Sequence, residues 1–245
     1  MTHSTSTQAG QGRHALLWLV LAGSLIALLL WWWQERRALA AQLLQTEPEV
    51  LMRDMALRAR AAEMARPVYA AHCAACHGAS GKAPAKPGVP SLFDSLWLYS
   101  NDLVDLEQTI YYGIRSGHPR ARNVTDMPAL GRIGQLSADE ARDTVQYLLV
   151  LSGRAHDAEA AARGRALYFA KGNCFDCHAS DAHGISDYGT PALTGGSWLY
   201  GGDAKSLYES IYSGRHGKCP AWYGKLSALQ IRALAVWLAG GSRQP

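Results

Sequence analysis

Two Cys-x-x-Cys-His motifs, CAACH over Cys73 to His77 and CFDCH over Cys174 to His178, stand 101 positions apart in this 245-residue chain. Pro90, Trp97, Leu98, Tyr99, Asp102, Leu106, Ile110, Tyr111 and Gly113 recur at the same offset as Pro191, Trp198, Leu199, Tyr200, Asp203, Leu207, Ile211, Tyr212 and Gly214. A fixed-offset repeat of this kind is a tandem duplication, so whatever one copy folds into the other must fold into as well. Each copy has fewer than about a hundred residues, and a chain that short gains much of its core from an enclosed group. Cys-x-x-Cys-His is the attachment signature of c-type haem. Two cysteines three positions apart on a helical turn can form thioethers to the two vinyl groups of one haem, and the adjacent histidine is placed to ligate its iron. A single motif could equally be a redox dithiol or half of a zinc site. Two, at matched spacing to other repeated residues, point to two covalently bound haem c groups, held by Cys73 and Cys76 and by Cys174 and Cys177, with His77 and His178 as iron ligands.

The far side of each iron needs a second ligand. The first copy carries nine extra residues within Ile114 to Asp126, after which Met127-Pro-Ala corresponds to Cys219-Pro-Ala. Met127 is the only methionine after Met64 and precedes the closing helix of its copy, so it is the expected ligand of the first haem, opposite His77. Thioethers consume four of five cysteines and leave Cys219 as an odd thiol in an oxidising compartment, where coordination would protect it. The expectation is therefore a Cys219 thiolate opposite His178, with Lys218 favouring the anion. His216 and Lys218 are reserve ligands should Cys219 be idle. His72, His118, His156 and His183 have no repeated counterparts and suit surface or loop positions.

Ala15 to Trp33 contains no charge, and 19 residues at ~1.5 Å per residue just cover the ~30 Å hydrocarbon core of a bilayer. Trp31 to Trp33 fit an interfacial belt. A cleaved signal peptide is the rival, since Ala38-Leu39-Ala40 resembles a cleavage site, but QERR over Gln34 to Arg37 argues for an uncleaved anchor. Gln34 to Arg66, rich in Ala, Leu, Glu and Arg, reads as a helical stalk, with Met52, Met55 and Met64 as packing residues. Each copy closes on an amphipathic helix opened by Leu-Ser, with Ser137 and Glu140 forming a capping-box pattern. The expected fold is mostly α, divided into a leader and transmembrane anchor over 1–34, a stalk over 35–66 and two domains over 67–153 and 154–245. From Pro67 onward there are 17 basic and 15 acidic residues with no basic run, which excludes nucleic acid as a partner. No Ser-His-Asp set, phosphate-cradling loop or paired-carboxylate spacing stands out, so no catalytic residue is assigned.

On the two Cys-x-x-Cys-His motifs, the WLY triplet after each, YGIRSGHPRARNVTDMPALG over Tyr112 to Gly131 and GRHGKCPAW over Gly214 to Trp222, the chain resembles subunit III, the dihaem cytochrome c subunit, of cbb3-type cytochrome c oxidases. The resemblance covers about residues 67–245. It implies two tandem class I cytochrome c domains on a membrane anchor, with the haem domains in the periplasm. It also implies electron transfer from a periplasmic cytochrome c or a quinol-oxidising complex toward the oxygen-reducing subunit, with the catalytic and monohaem oxidase subunits as partners. Haem-ligand roles carry over onto His77, Met127 and His178. In cytochromes of the mitochondrial type, which the two domains resemble, a proline thirteen residues after the haem histidine offers its carbonyl to the ring; Pro90 and Pro191 stand at that distance. Trp97 and Trp198 fit either the haem edge or a packed aromatic core. The chain departs from the family's usual pattern in having one span where two are common and cysteine at position 219 where methionine is usual. Two other functions compete: a free membrane-anchored shuttle or sensor, and a sulfur-oxidising dihaem cytochrome resembling thiosulfate dehydrogenases through its cysteine.

Overall fold

A computed structural model describes residues 6–82, 86–93, 97–195 and 198–241, with side chains from residue 16 on. It divides into a first unit that ends at Glu47 and a second that begins at Pro48. In the first unit one helix, α1 (Ser6–Gln45), runs unbroken past the expected end of the anchor at residue 34. Its leucines and tryptophans from Leu16 to Trp33 are exposed, and the helix is long and apolar enough to cross a membrane. Beyond the apolar stretch, Arg36 and Arg37 lie over the Trp32 and Trp33 rings at 4.3 and 4.4 Å, a cationic and aromatic collar of the kind that suits a bilayer interface.

The second unit opens with α2 (Pro48–Arg53) and α3 (Met55–His72), the latter capped by Asp54, whose carboxylate accepts from the Leu57 N–H at 2.9 Å. α3 continues through Pro67, so the expected stalk boundary at residue 66 falls inside a helix. Ala61, Ala65 and Tyr69, spaced by four, bury one face of it, and Met55, expected to pack, stands 80% exposed. Then follow α4 (Ala74–His77), α5 (Leu103–Tyr112), α6 (Ala138–Leu151), α7 (Ala158–Phe169), α8 (Phe175–His178), α9 (Ala204–Ser213) and α10 (Ala228–Gly241). Among the described residues β structure is limited to isolated bridges. The repeated Asp102 and Asp203 are the N-caps of α5 and α9, accepting from the backbone N–H groups of Asp105 and Ser206 at 2.8 and 3.0 Å. The capping box of α6 forms as its sequence pattern requires.

The packing of these helices crosses between the two segments expected as domains, 67–153 and 154–245. α10, from the second copy, lies on α3 and α5 of the first, whereas α6, from the first copy, lies on α7 and α9 of the second. Each copy has given its closing helix to the other. On one side Trp237 of α10 meets Tyr69 and Phe93 with ring centroids 5.0 Å apart, and the buried Arg232 bonds Glu107 of α5 at 3.0 Å. On the other, Leu130, Leu136, Val145 and Leu148 join Tyr168, Leu193, Leu207 and Ile211 in one core. The tyrosines of the WLY triplets are exchanged too: Tyr200 lies against Gly88, just before Pro90, and Tyr99 against Gly189, just before Pro191. The exchange is possible because α6 and α10 are homologous apolar faces of equal length, so either one closes either copy.

Candidate haem centres

Each Cys-x-x-Cys-His motif forms a single helical turn, α4 and α8, that sets its histidine on the last position. The rings are fixed in the same way. His77 Nδ1 lies 3.1 Å from the Pro90 carbonyl and His178 Nδ1 lies 2.9 Å from that of Pro191. A carbonyl only accepts, so Nδ1 carries the proton and Nε2 keeps its lone pair for a metal. Burial pushes both imidazoles below the ordinary histidine range, with the proline bonds pulling the other way, which favours the neutral, ligating form.

Two tyrosines brace these turns. Tyr69 and Tyr168 donate to the carbonyls of Gly78 and Ala179, each at 2.7 Å, at the residue after each histidine. Burial raises both phenols, Tyr69 to about 12, so they stay protonated donors. They were missed in the sequence because they sit four and six positions ahead of their motifs and break the 101-residue offset. A buried tyrosine shortly before each motif was the signal that could have found them.

The two candidate sulfur ligands lie on the opposite sides from those expected. Met127 packs against the core that contains Cys174, Phe175 and Trp198, on the His178 side. Cys219 lies on the His77 side: burial pushes its thiol up to about 11, with the Cys73 and Cys76 sulfurs adding to the shift. Burial thus favours the neutral thiol, the opposite of the thiolate that Lys218 was expected to favour. The reason for the reversal is the crossing of the two loops. Ile114 and Cys219 exchange backbone bonds at 3.0 and 2.9 Å, and Met127 and Arg215 exchange theirs at 3.2 and 2.9 Å. Ile114 and Arg215 are 101 positions apart, as are the histidines, so the two bridges are one contact made twice about an approximate two-fold axis. Past Cys219, Trp222 donates to the carbonyls of Ile110 and Tyr111, both at 3.1 Å, and its ring lies 5.0 Å from His72.

The reserve ligands point elsewhere. His216 Nδ1 bonds Asp126 at 2.6 Å with its side chain about half exposed, and Lys218 is exposed. His118 stacks on Tyr112, while His156 and His183 bond nearby backbone carbonyls. The indole N–H groups of Trp97 and Trp198 are buried with no partner among the described residues, as is the Tyr99 hydroxyl. Buried orphan donors at equivalent positions of both copies fit an acceptor supplied from outside the chain, and haem brings two carboxylates. The donor set fits haem c on every count: paired thiols, a neutral histidine and a sulfur from the exchanged loop.

A proline-anchored histidine behind two cysteines on one helical turn, built twice into a helical fold, defines a c-type cytochrome of two halves. The chain belongs to the family described as cytochrome c oxidase, cbb3-type, subunit III, which matches residues 60–148 and 159–238. It is 41% identical to the cbb3-type cytochrome c oxidase subunit FixP of Bradyrhizobium sp. (strain ORS 278) over 77% of this chain and 65% of that protein. With the cbb3-type cytochrome c oxidase subunit CcoP of Azospirillum brasilense it shares 38% over 80% of this chain and 68% of the relative. The subunit CcoP of Cereibacter sphaeroides is 33% identical over 81% and 67%. These matches thus span about two thirds of the relatives' length.

Proposed function

We propose that the chain is the electron-carrying subunit of a cbb3-type terminal oxidase, anchored by one transmembrane helix, with residues 35–245 in the periplasm and two covalently bound haem c groups. The FixP and CcoP names of the relatives support the oxidase assignment and favour it over a free shuttle or a sulfur-oxidising enzyme. Electrons enter from a periplasmic cytochrome c or a quinol-oxidising complex and leave toward the oxygen-reducing subunit, with the catalytic and monohaem oxidase subunits as partners. Haem supplies a one-electron Fe(III)/Fe(II) couple when bound. The chain's residues set its potential and exclude water. Pro90 and Pro191 hold His77 and His178 in the ligating tautomer, Tyr69 and Tyr168 brace the attachment turns, and Trp97 and Trp198 donate to the carboxylates.

The observation that carries the ligand assignment is the loop crossing, which supports His77 with Cys219 and His178 with Met127. Thioether ligation with histidine raises a haem potential, whereas an anionic thiolate stabilises the ferric state. The haem on Cys73 and Cys76 is then the low-potential one, by about 0.3 V of the roughly 0.8 V that axial ligands span. Full-length protein with either attachment motif removed tests this. The low-spin thiolate signal of the ferric state should persist in Cys174→Ala/Cys177→Ala, vanish in Cys73→Ala/Cys76→Ala, and vanish in Cys219→Ala. A thiolate signal that follows Cys174 and Cys177 instead restores the contiguous pairing and defeats the crossed one.

A further inference from the structure

We propose that the crossing of the two ligand loops forms a basic docking face for a redox partner with an acidic surface. This rests on the electron-carrier reading and adds to it where the partner sits and what charge it bears. The even charge of the chain hides a local imbalance. Residues 113–135 contain four arginines and one carboxylate, and residues 214–226 contain three basic residues and none, so the two loops hold seven basic residues and one acidic. Everything else from Pro67 onward then holds ten basic and fourteen acidic residues. The loops lie some ninety positions apart in sequence, and the paired bonds of Ile114 with Cys219 and Met127 with Arg215 bring them together.

Between them opens a cavity of about 620 Å³, lined from both loops by Arg115, His118, Asp126, His216 and Lys218 among others. Its positive charge is not neutralised from within. Arg115 donates to the Gly217 and Thr125 carbonyls at 2.6 and 2.7 Å, which fixes its position and leaves its charge. The Arg120 guanidinium lies over the Tyr112 ring at 4.2 Å. Asp126, the only carboxylate lining the cavity among the described residues, is taken by His216. Among the described residues no carboxylate pairs with Arg115, Arg120 or Lys218. Exposed Tyr223 stands beside His118, and exposed Val124 follows Asn123 on the rim. Arginine with exposed aromatic and apolar groups is the composition of a protein interface rather than of a small-anion pocket. The position decides between occupants. The loops that form the face also carry Met127 and Cys219, so a partner docked here lies beside the ligands of both irons, a placement that matters for electron exchange and is irrelevant to a bound anion.

The test uses the full haem-loaded chain in detergent at low ionic strength, where the Debye length is about 30 Å at ~0.01 M. The probe is a soluble single-haem cytochrome of strongly negative net charge, with one of strongly positive charge for contrast. Charge reversal by Arg120→Glu or Lys218→Glu should each slow exchange with the acidic cytochrome about fivefold and speed it with the basic one, both effects fading as salt is raised. Lys205→Glu makes the same change of net charge in the first turn of α9, about 15 Å of helix away from the crossing, and should alter neither rate by more than about twofold. Equal effects at Lys205 and Arg120, or none at Arg120 and Lys218, would overturn the docking face. So would loss of the difference on adding inorganic phosphate at constant ionic strength, which assigns the cavity to a small anion. Reduction by ascorbate through a small mediator keeps the two readings apart: if it proceeds while charge reversal does nothing, only the docking face fails, and if neither haem accepts electrons, the carrier reading fails with it.

Discussion

Gly113 and Gly214 end α5 and α9 with φ of +73° and +71°, and each lies against the backbone of the loop that came from the other copy. A Cβ on Gly113 would run into the Cys219 carbonyl, and one on Gly214 would stand 2.6 Å from that of Met127. Only glycine adopts this backbone without cost, and an L-residue there loses about 1–2 kcal/mol before any clash is counted. Gly113→Ala should therefore displace Cys219 and change the spectrum of the haem on Cys73 and Cys76, while Gly214→Ala should displace Met127 and change the other. Haem-resolved redox titration of the two variants checks this, and a Gly113→Ala protein altered only at the Cys174/Cys177 haem would contradict it. These glycines were legible in the sequence as a repeated pair. What each touches was not, because the contact is to a residue more than a hundred positions away for Gly113 and more than eighty for Gly214.

At the scale of the helices, local signals read correctly and partners did not. Ser137 accepts from the Glu140 N–H at 3.1 Å and Glu140 returns a bond to the Ser137 N–H at 2.8 Å, a pattern spelled within four residues. Ser137→Ala should cost about 1 kcal/mol in thermal or denaturant unfolding. Lys171, between α7 and α8, also bonds the Glu140 carboxylate at 2.6 Å, and these donors hold Glu140 below the ordinary carboxylate range. With the folded value depressed, the stabilisation is present above the unfolded value and is lost as pH falls through the folded one. Melting curves from pH 6 to 3 should accordingly fall less steeply in Glu140→Gln than in the unaltered chain. No such local pattern joins α10 to α5. There the tie is Arg232 to Glu107, 125 positions apart, with side chains 9% and 19% exposed. Glu107→Gln takes the carboxylate from a buried guanidinium and should destabilise the protein by about 3 kcal/mol. Replacing both by apolar residues, as Glu107→Leu with Arg232→Met, should recover most of the loss; a double variant no better than the single would show that the pair itself stabilises the contact.

For the whole molecule, the repeat announced two units of one design, and the Cys-x-x-Cys-His motifs pointed to haem c without help from structure. The helix partners and the sides on which Met127 and Cys219 lie were not legible for one reason: a tandem repeat specifies what packs on what only up to exchange between identical roles. α6 and α10 are each fourteen residues, each opened by Leu-Ser, and each closes a core of the same design, so the apolar pattern is satisfied by the contiguous arrangement and by the crossed one. The exchange has a consequence that contiguous domains would lack. A cut between Gly153 and Asp157, at the junction of the copies, leaves one piece with α3 to α6 and another with α7 to α10, so neither piece holds a complete core. If a site for a sequence-specific protease is inserted after Gly153 in the haem-loaded chain, the cleaved protein should remain a single species on gel filtration and keep both haem spectra. Denaturant should separate the pieces, each with one attached haem, and on its removal neither alone should regain the spectrum of the intact protein, whereas the mixture should. Two pieces that part in native buffer with unchanged spectra would mean that each copy closes on its own helix and that the crossing does not hold the molecule together.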